Sequence, residues 1–200
     1  MNLKTSLDFL GELKKNNNRD WFKANDSKYR AAKKEFENFV ELVIPRIRQF
    51  DDSINVMSAK DCMFRIHRDV RFSKDKDPYK TNFGAFIAKG GRKSPYAGYC
   101  LHAEPGSSFL GGGIYMPPPA ILKAIRNDIF DDPSELKSIL NDPDFKKHFG
   151  GLYGEKLKTA PKGFPKDFPD IELLNHKHYA TFHRIDDSLW LADDAADRIT

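Results

Sequence analysis

The sequence predicts an α+β fold: a mainly antiparallel sheet of four to five strands packed against N-terminal and C-terminal helices. Three observations predict it. Apolar residues recur at helical spacing near the start, the period drops to two between about residues 60 and 116, and helical periodicity then returns. The short Gly- and Pro-rich connections of the central region suit antiparallel meanders better than βαβ crossovers. With 200 residues, 40% of them hydrophobic, the chain fits a single domain over 1–200 that can bury its own core. Its parts are a helical segment over about 1–52, a sheet-forming segment over about 60–116, and helices with a last strand over about 117–200.

The elements follow in order. Leu3, Leu7, Leu10 and Leu13 mark a first helix, which Asn16-Asn17-Asn18 ends. A short turn carries Trp21 and Phe22. Tyr29, Ala32, Phe36, Phe39, Val40, Val43, Ile44 and Ile47 then form one face of a long helix. Lys28, Arg30, Lys33, Lys34, Glu37 and Glu41 occupy its solvent face. Pro45 should kink this helix or end it at Ile44, because proline has no N–H to continue the ladder. Strands are expected at Met63–Arg68, Phe83–Lys89, Ala97–Ala103 and Phe109–Tyr115, punctuated by Gly90-Gly91, Pro95 and Pro105-Gly106. A helix follows Pro117-Pro118-Pro119, with Ile121, Leu122, Ile125 and Ile129 turned inward. Short helices are expected at Ser134–Leu140 and Pro143–Phe149, the second capped by Asp142. Thr159–Pro169 reads as irregular, Asp170–Asn175 as a helical turn, and Tyr179–Ile185 as the last strand. Ser188–Thr200 opens a helix without a stop signal, which raises the expectation of a truncated C-terminus.

Several function classes find no support. The N-terminus has no uninterrupted apolar core of a signal peptide, and no run approaches a membrane span, so a cytoplasmic location is expected. Cys62 and Cys100 lie in apolar runs and read as packing residues. Neither phosphate-loop nor dinucleotide-binding glycine pattern is present. Gly111-Gly112-Gly113 precedes a helix, but Pro117, Pro118 and Pro119 lack the N–H donors that an anion would need there. Close strand packing or a bulge is the better reading of these glycines. His176, His178 and His183 lack ligand-like spacing. No metal and no cofactor is expected, and the sequence leaves enzymatic activity and oligomeric state open.

One segment concentrates the charge: Cys62–Thr81, CMFRIHRDVRFSKDKDPYKT. Six cations and three anions between Arg65 and Lys80 leave a net +3, against +4 for the whole chain. Guanidinium groups bind carboxylate or phosphate through paired hydrogen bonds, and lysine supplies a movable point charge. Drawn as an extended strand, Arg65, His67, Asp69 and Arg71 share a polar face, while Arg68 turns toward the apolar one. A charge there needs a partner, and Glu104, Asp61 and Asp128 are candidates. Arg65, Arg68, Arg71, Lys76 and Lys80 are therefore candidate ligands for an anionic or phosphorylated small molecule. Asp69 and Tyr79 are candidate proton-transfer groups should the protein be an enzyme. The competing reading is an internal ion-pair lattice that locks a loop in a non-catalytic interaction or scaffold module. A third reading is weak nucleic-acid binding through the basic N-terminal helix and Lys158, Lys162 and Lys166; the mild net charge permits it without demanding it.

The run FRIHRDVRFSKDKDPYKTNFG (Phe64 to Gly84) resembles the hallmark of the uncharacterised bacterial and fungal family "domain of unknown function 2461". NNNRDWF (Asn16 to Phe22), GGIYMP (Gly112 to Pro117) and LKTAPKGF (Leu157 to Phe164) extend the resemblance over nearly the whole chain. It implies no activity, cofactor or catalytic residue. It places emphasis on Arg65, Arg68, Asp69, Arg71, Phe72, Ser73, Lys76, Pro78, Tyr79 and Lys80, which fall on the motif. The sequence departs at His67, where the family pattern has an aromatic such as Tyr, which weakens any catalytic role for His67. Family members usually run somewhat longer.

Overall fold

The computed structural model describes all residues, 1–200. Its helices are α1 (Lys4–Lys15), α2 (Arg19–Ala24), α3 (Asp26–Ile47), α4 (Ala59–Cys62), α5 (Pro119–Asp131), α6 (Ser134–Asn141), α7 (Pro143–Phe149), α8 (Ile171–Leu174), α9 (Asp187–Leu191) and α10 (Ala195–Arg198). The strands β1 (Phe83–Ala88), β2 (Gly98–Ala103), β3 (Phe109–Ile114) and β4 (Tyr179–Arg184) form one antiparallel sheet in chain order. This is the α+β architecture expected, with helices at both ends of the chain. No helix is long and apolar enough to cross a membrane.

Contacts divide the chain into two compact units. The first comprises Met1–Ser94, Gly98–Leu110 and Arg184–Thr200. Its core is the predicted leucine stripe of α1 laid on the apolar face of α3: Leu3, Leu10, Leu13, Phe36, Phe39 and Val40 are all completely buried. Trp190 of α9 meets Phe39 edge-on at 5.6 Å, and its carbonyl accepts the Leu3 N–H. Charge completes what apolar packing leaves open. Asn2 accepts only weakly from the first amide of α1, the Lys4 N–H at 3.4 Å, and the Glu35 carboxylate of α3 accepts from the Ser6 and Thr5 N–H groups at 2.7 and 3.3 Å. A carboxylate at a helix N-terminus satisfies free donors and complements the dipole. Glu41 does likewise for α4, accepting from the Ala59 N–H at 2.8 Å, so it is not simply solvated. Proline does not stop α3 at Ile44. The helix runs through Pro45 to Ile47, and the Arg48 N–H closes it on the Ile44 carbonyl.

β1 and β2 pair antiparallel with Phe83 opposite Ala103 and Gly84 opposite His102. Alternation then gives the two faces different chemistry. Phe83, Ala85, Ile87, Leu101 and Ala103 join the helical core, with Phe83 stacked on Phe36 at 5.6 Å. Gly84, Phe86, Cys100 and His102 point to the opposite face.

The second unit comprises Pro95–Ala97 and Gly111–His183. Gly111 and Gly113 are there for proximity. A Cβ on Gly113, whose φ is +102°, would lie 2.2 Å from the Tyr179 carbonyl oxygen, and one on Gly111 would strike the Phe182 ring. On α5 only Ile129 of the four predicted inward residues is buried. Arg126 of the same helix donates to the Leu174 and His176 carbonyls, which fixes the α8 region. Asp142 caps α7 by accepting from the Phe145 N–H. The irregular Thr159–Pro169 stretch is anchored by Phe164 and Phe168 against Phe130.

Two expectations need correction. Met63–Arg68 is no strand. Only isolated bridges survive, Met63 with Ala85 and His67 with Tyr79, and Cys62 belongs to the end of α4. The register between the two segments shifts between these bridges, so simple alternation fails: Met63 is buried, Phe64 is 42% exposed and Phe72 is 96% exposed. Ser188–Thr200 holds two short helical turns, α9 and α10, in place of one opening helix.

Candidate functional site

The charged segment is an irregular hairpin that divides into a stem and a loop. In the stem, the Lys80 N–H donates to the Ile66 carbonyl at 2.8 Å and the Arg68 N–H to the Pro78 carbonyl at 3.0 Å. Its far side is held by Asn17, which exchanges two hydrogen bonds with the Tyr79 backbone at 2.9 and 3.2 Å. Such a side-chain amide takes the place of a neighbouring strand. The Tyr79 ring is buried and stacks on Phe22 at 3.9 Å. The predicted NNNRDWF segment therefore braces the motif from behind.

The loop satisfies three of its four cations and leaves Lys74 exposed to solvent. Arg68 pairs with Asp75 and reaches the Ser73 hydroxyl, so none of Glu104, Asp61 and Asp128 is its partner. The reason is local: a folded loop, unlike a flat strand, brings position 75 back to 68. Asp69 accepts two hydrogen bonds from the Arg71 guanidinium at 2.9 and 2.7 Å and one from its N–H. Those bonds hold the Asp69 carboxyl below its ordinary range. The Asp77 N–H and Arg68 do the same to Asp75. The Lys76 ammonium caps the Val70 carbonyl at 3.1 Å.

The stem does not. Arg65 makes no hydrogen bond or ion pair with the protein. The Lys80 ammonium sits 5.5 Å from the Phe64 ring centroid, a cation–π contact, and has no carboxylate partner. Burial, then repulsion from Arg65, pushes Lys80 below the usual lysine range. Neither cation has a hydrogen-bonded or ion-paired carboxylate, Lys80 is half-buried within electrostatic reach of Arg65, and Arg65 also lies within electrostatic reach of Asp69.

Beside them lies a polar network on the sheet face turned away from the helical core. The Thr81 hydroxyl donates to Glu104 at 2.6 Å, and His102 Nε2 lies 3.1 Å from the other Glu104 oxygen. His102 Nδ1 is 3.3 Å from the Asn82 amide nitrogen. A carboxylate can only accept and an amide nitrogen can only donate, so a neutral His102 carries its proton on Nε2. Burial holds its pKa below the usual histidine range, outweighing Glu104, while Lys80 adds to the lowering. The ring also stacks on Phe109 at 4.3 Å. Phe64 and Asn82 flank Gly84 at ordinary van der Waals distance, 3.4 Å from where its Cβ would lie.

Of the candidate ligands, the structure brings Arg65 and Lys80 together and turns Arg68, Arg71 and Lys76 into the loop's own bonding. Asp69 is occupied by Arg71, and Tyr79 lies in the core. Sequence reasoning missed His102, Asn82 and Thr81, and considered Glu104 only as a partner for Arg68. Parity along GYCLHAE was the available signal: Leu101 and Ala103 face the core, so His102 and Glu104 share the other side. In the second unit, His178 Nδ1 accepts from the Met116 N–H and His183 contacts the His148 carbonyl, two separate roles.

No curated protein and no solved structure matches the chain. The model of the conserved hypothetical proteins DUF2461 matches residues 5–200, a range that includes the stem, the loop and the bracing asparagine, and the chain belongs to that family.

Proposed function

We propose that the protein binds an anionic or phosphorylated small molecule at Arg65 and Lys80. The observation that carries this reading is a pair of mutually repelling cations, neither of them hydrogen-bonded or ion-paired to a carboxylate. Like charges held together with one half-buried raise the free energy of the empty site, and an anion relieves it. Arg65 supplies a fork of donors, Lys80 a point charge, and the His102 network adds polar groups beside them. Arg68, Arg71 and Lys76 serve the same site indirectly, by fixing the loop through pairs of their own. For those three residues the ion-pair lattice is the better reading, so the two readings divide the motif between them.

Thermal unfolding with phosphate and sulfate tests this. Ligand at about 100 times its Kd should stabilise the native protein by about 2.7 kcal/mol. Arg65→Ala should abolish the response and Arg68→Ala should keep it. Equal responses in the native protein and both variants would remove the proposal.

A further inference from the structure

We infer that the ligand of the Arg65–Lys80 site is a dianionic phosphomonoester, an inference that rests on the anion-binding reading above. The nearby acids make their hydrogen bonds elsewhere, and Asp69 reaches Arg65 only through space. Asp69 chelates Arg71, Asp75 holds Arg68, and both oxygens of Glu104 are taken by Thr81 and His102. A carboxylate or phosphodiester brings one negative charge and leaves one cation uncompensated. A phosphomonoester near neutral pH brings about −1.5 to −2 and three acceptor oxygens. That charge matches two cations, and the oxygens match an arginine fork plus one ammonium. His102 is held between Glu104 and Asn82, and burial lowers its pKa, which disfavours a third charge there. Phe64, 42% exposed and lying under Lys80, offers an apolar surface beside the anion. That surface favours an ester with an organic group over free phosphate.

Calorimetric titrations of the full chain with phenyl phosphate, methyl phenyl phosphate and inorganic phosphate test this at about pH 5 and pH 7.5, on either side of the second phosphate ionisation near pH 6. The ratio of monoester to diester affinity cancels titration of the protein's own groups. It should rise about tenfold with pH, the worth of one further charge-assisted contact. Lys80→Met should hold the ratio flat, and Lys80→Gln serves if the first variant does not fold. Phenyl phosphate should bind more tightly than inorganic phosphate, and Phe64→Ala should equalise them. A flat ratio in the native protein, with diester binding still lost in Arg65→Ala, overturns the dianion inference and leaves the anion site standing. Inorganic phosphate binding as tightly as the ester overturns the ester assignment. Failure of all three probes to bind, or binding unaffected by both Arg65 and Lys80 substitutions, overturns the anion reading itself.

Discussion

The two ends of one charged hairpin obey opposite rules. Within the loop from Arg68 to Asp77, three of the four cations, Arg68, Arg71 and Lys76, have found an acceptor a few residues away, and the exposed Lys74 stands in solvent. At the stem, Arg65 and Lys80 sit next to each other and neither has one. Chain length explains part of the contrast. A compact loop brings acids and bases within reach at little entropic cost. Residues locked into paired extended segments cannot turn their side chains toward distant acids. The rest is packing: Asn17, Phe22 and Tyr79 hold the stem rigid from the core side. Rigidity is what keeps two repelling charges in place, because a loose segment would relax them apart.

The largest expected effect comes from removing that brace. Phe22 is 7% exposed and touches Tyr79 at 3.9 Å and Tyr29 at 4.9 Å. Phe22→Ala should cost about 3–5 kcal/mol in urea unfolding. It should also speed amide exchange at Lys80 more than at Ser73. Faster exchange in the loop alone would mean that the loop, and not the core, positions the stem.

A smaller effect is expected at the loop. Arg68 is three-quarters covered, but its partner Asp75 is largely exposed, which limits the worth of the pair. Arg68→Ala should cost about 1 kcal/mol. If it proved neutral in thermal unfolding, the loop pairs would be surface decoration and the contrast with the stem would lose half its meaning.

How much of this was legible depended on the range of the forces involved. The helices of the first unit were readable because Leu3, Leu7, Leu10 and Leu13 and the α3 stripe obey a strict local period. The strand ends of β1 to β4 were readable to within a residue or two, from alternation and from Gly and Pro. The concentration of function-bearing charge between Arg65 and Lys80 was also visible, as a count. What alternation could not give was the fate of each charge. Arg68 seemed to demand a distant acid only because the segment was drawn as a flat strand. Folding the segment back put Asp75 beside it. The His102–Glu104–Thr81–Asn82 network depends on strand register, Gly84 opposite His102, which is a tertiary fact. Of the two outcomes Pro45 allowed, an end at Ile44 did not occur: the helix continues to Ile47, with Ile44 and Ile47 buried.

The smallest expected effect is the most discriminating, because its sign differs between the two regions. Lys80 titrates below the 10.5 of an unperturbed lysine, first from burial and then from Arg65. The folded state therefore holds this proton less tightly than the unfolded chain. Below the folded value the charge opposes folding, and stability climbs as pH rises from that value toward 10.5. Lys80→Met keeps the apolar stem over Phe64 and removes the charge. It should raise stability near pH 7 by about 0.5 kcal/mol or less, and it should flatten the climb toward pH 10.5. Added phosphate should then reverse the order, stabilising the native protein above the variant. Should Lys80→Met instead lower the unfolding temperature as Arg68→Ala does, Lys80 would be one more structural cation. The stem would then be an extension of the loop rather than a place prepared for a ligand.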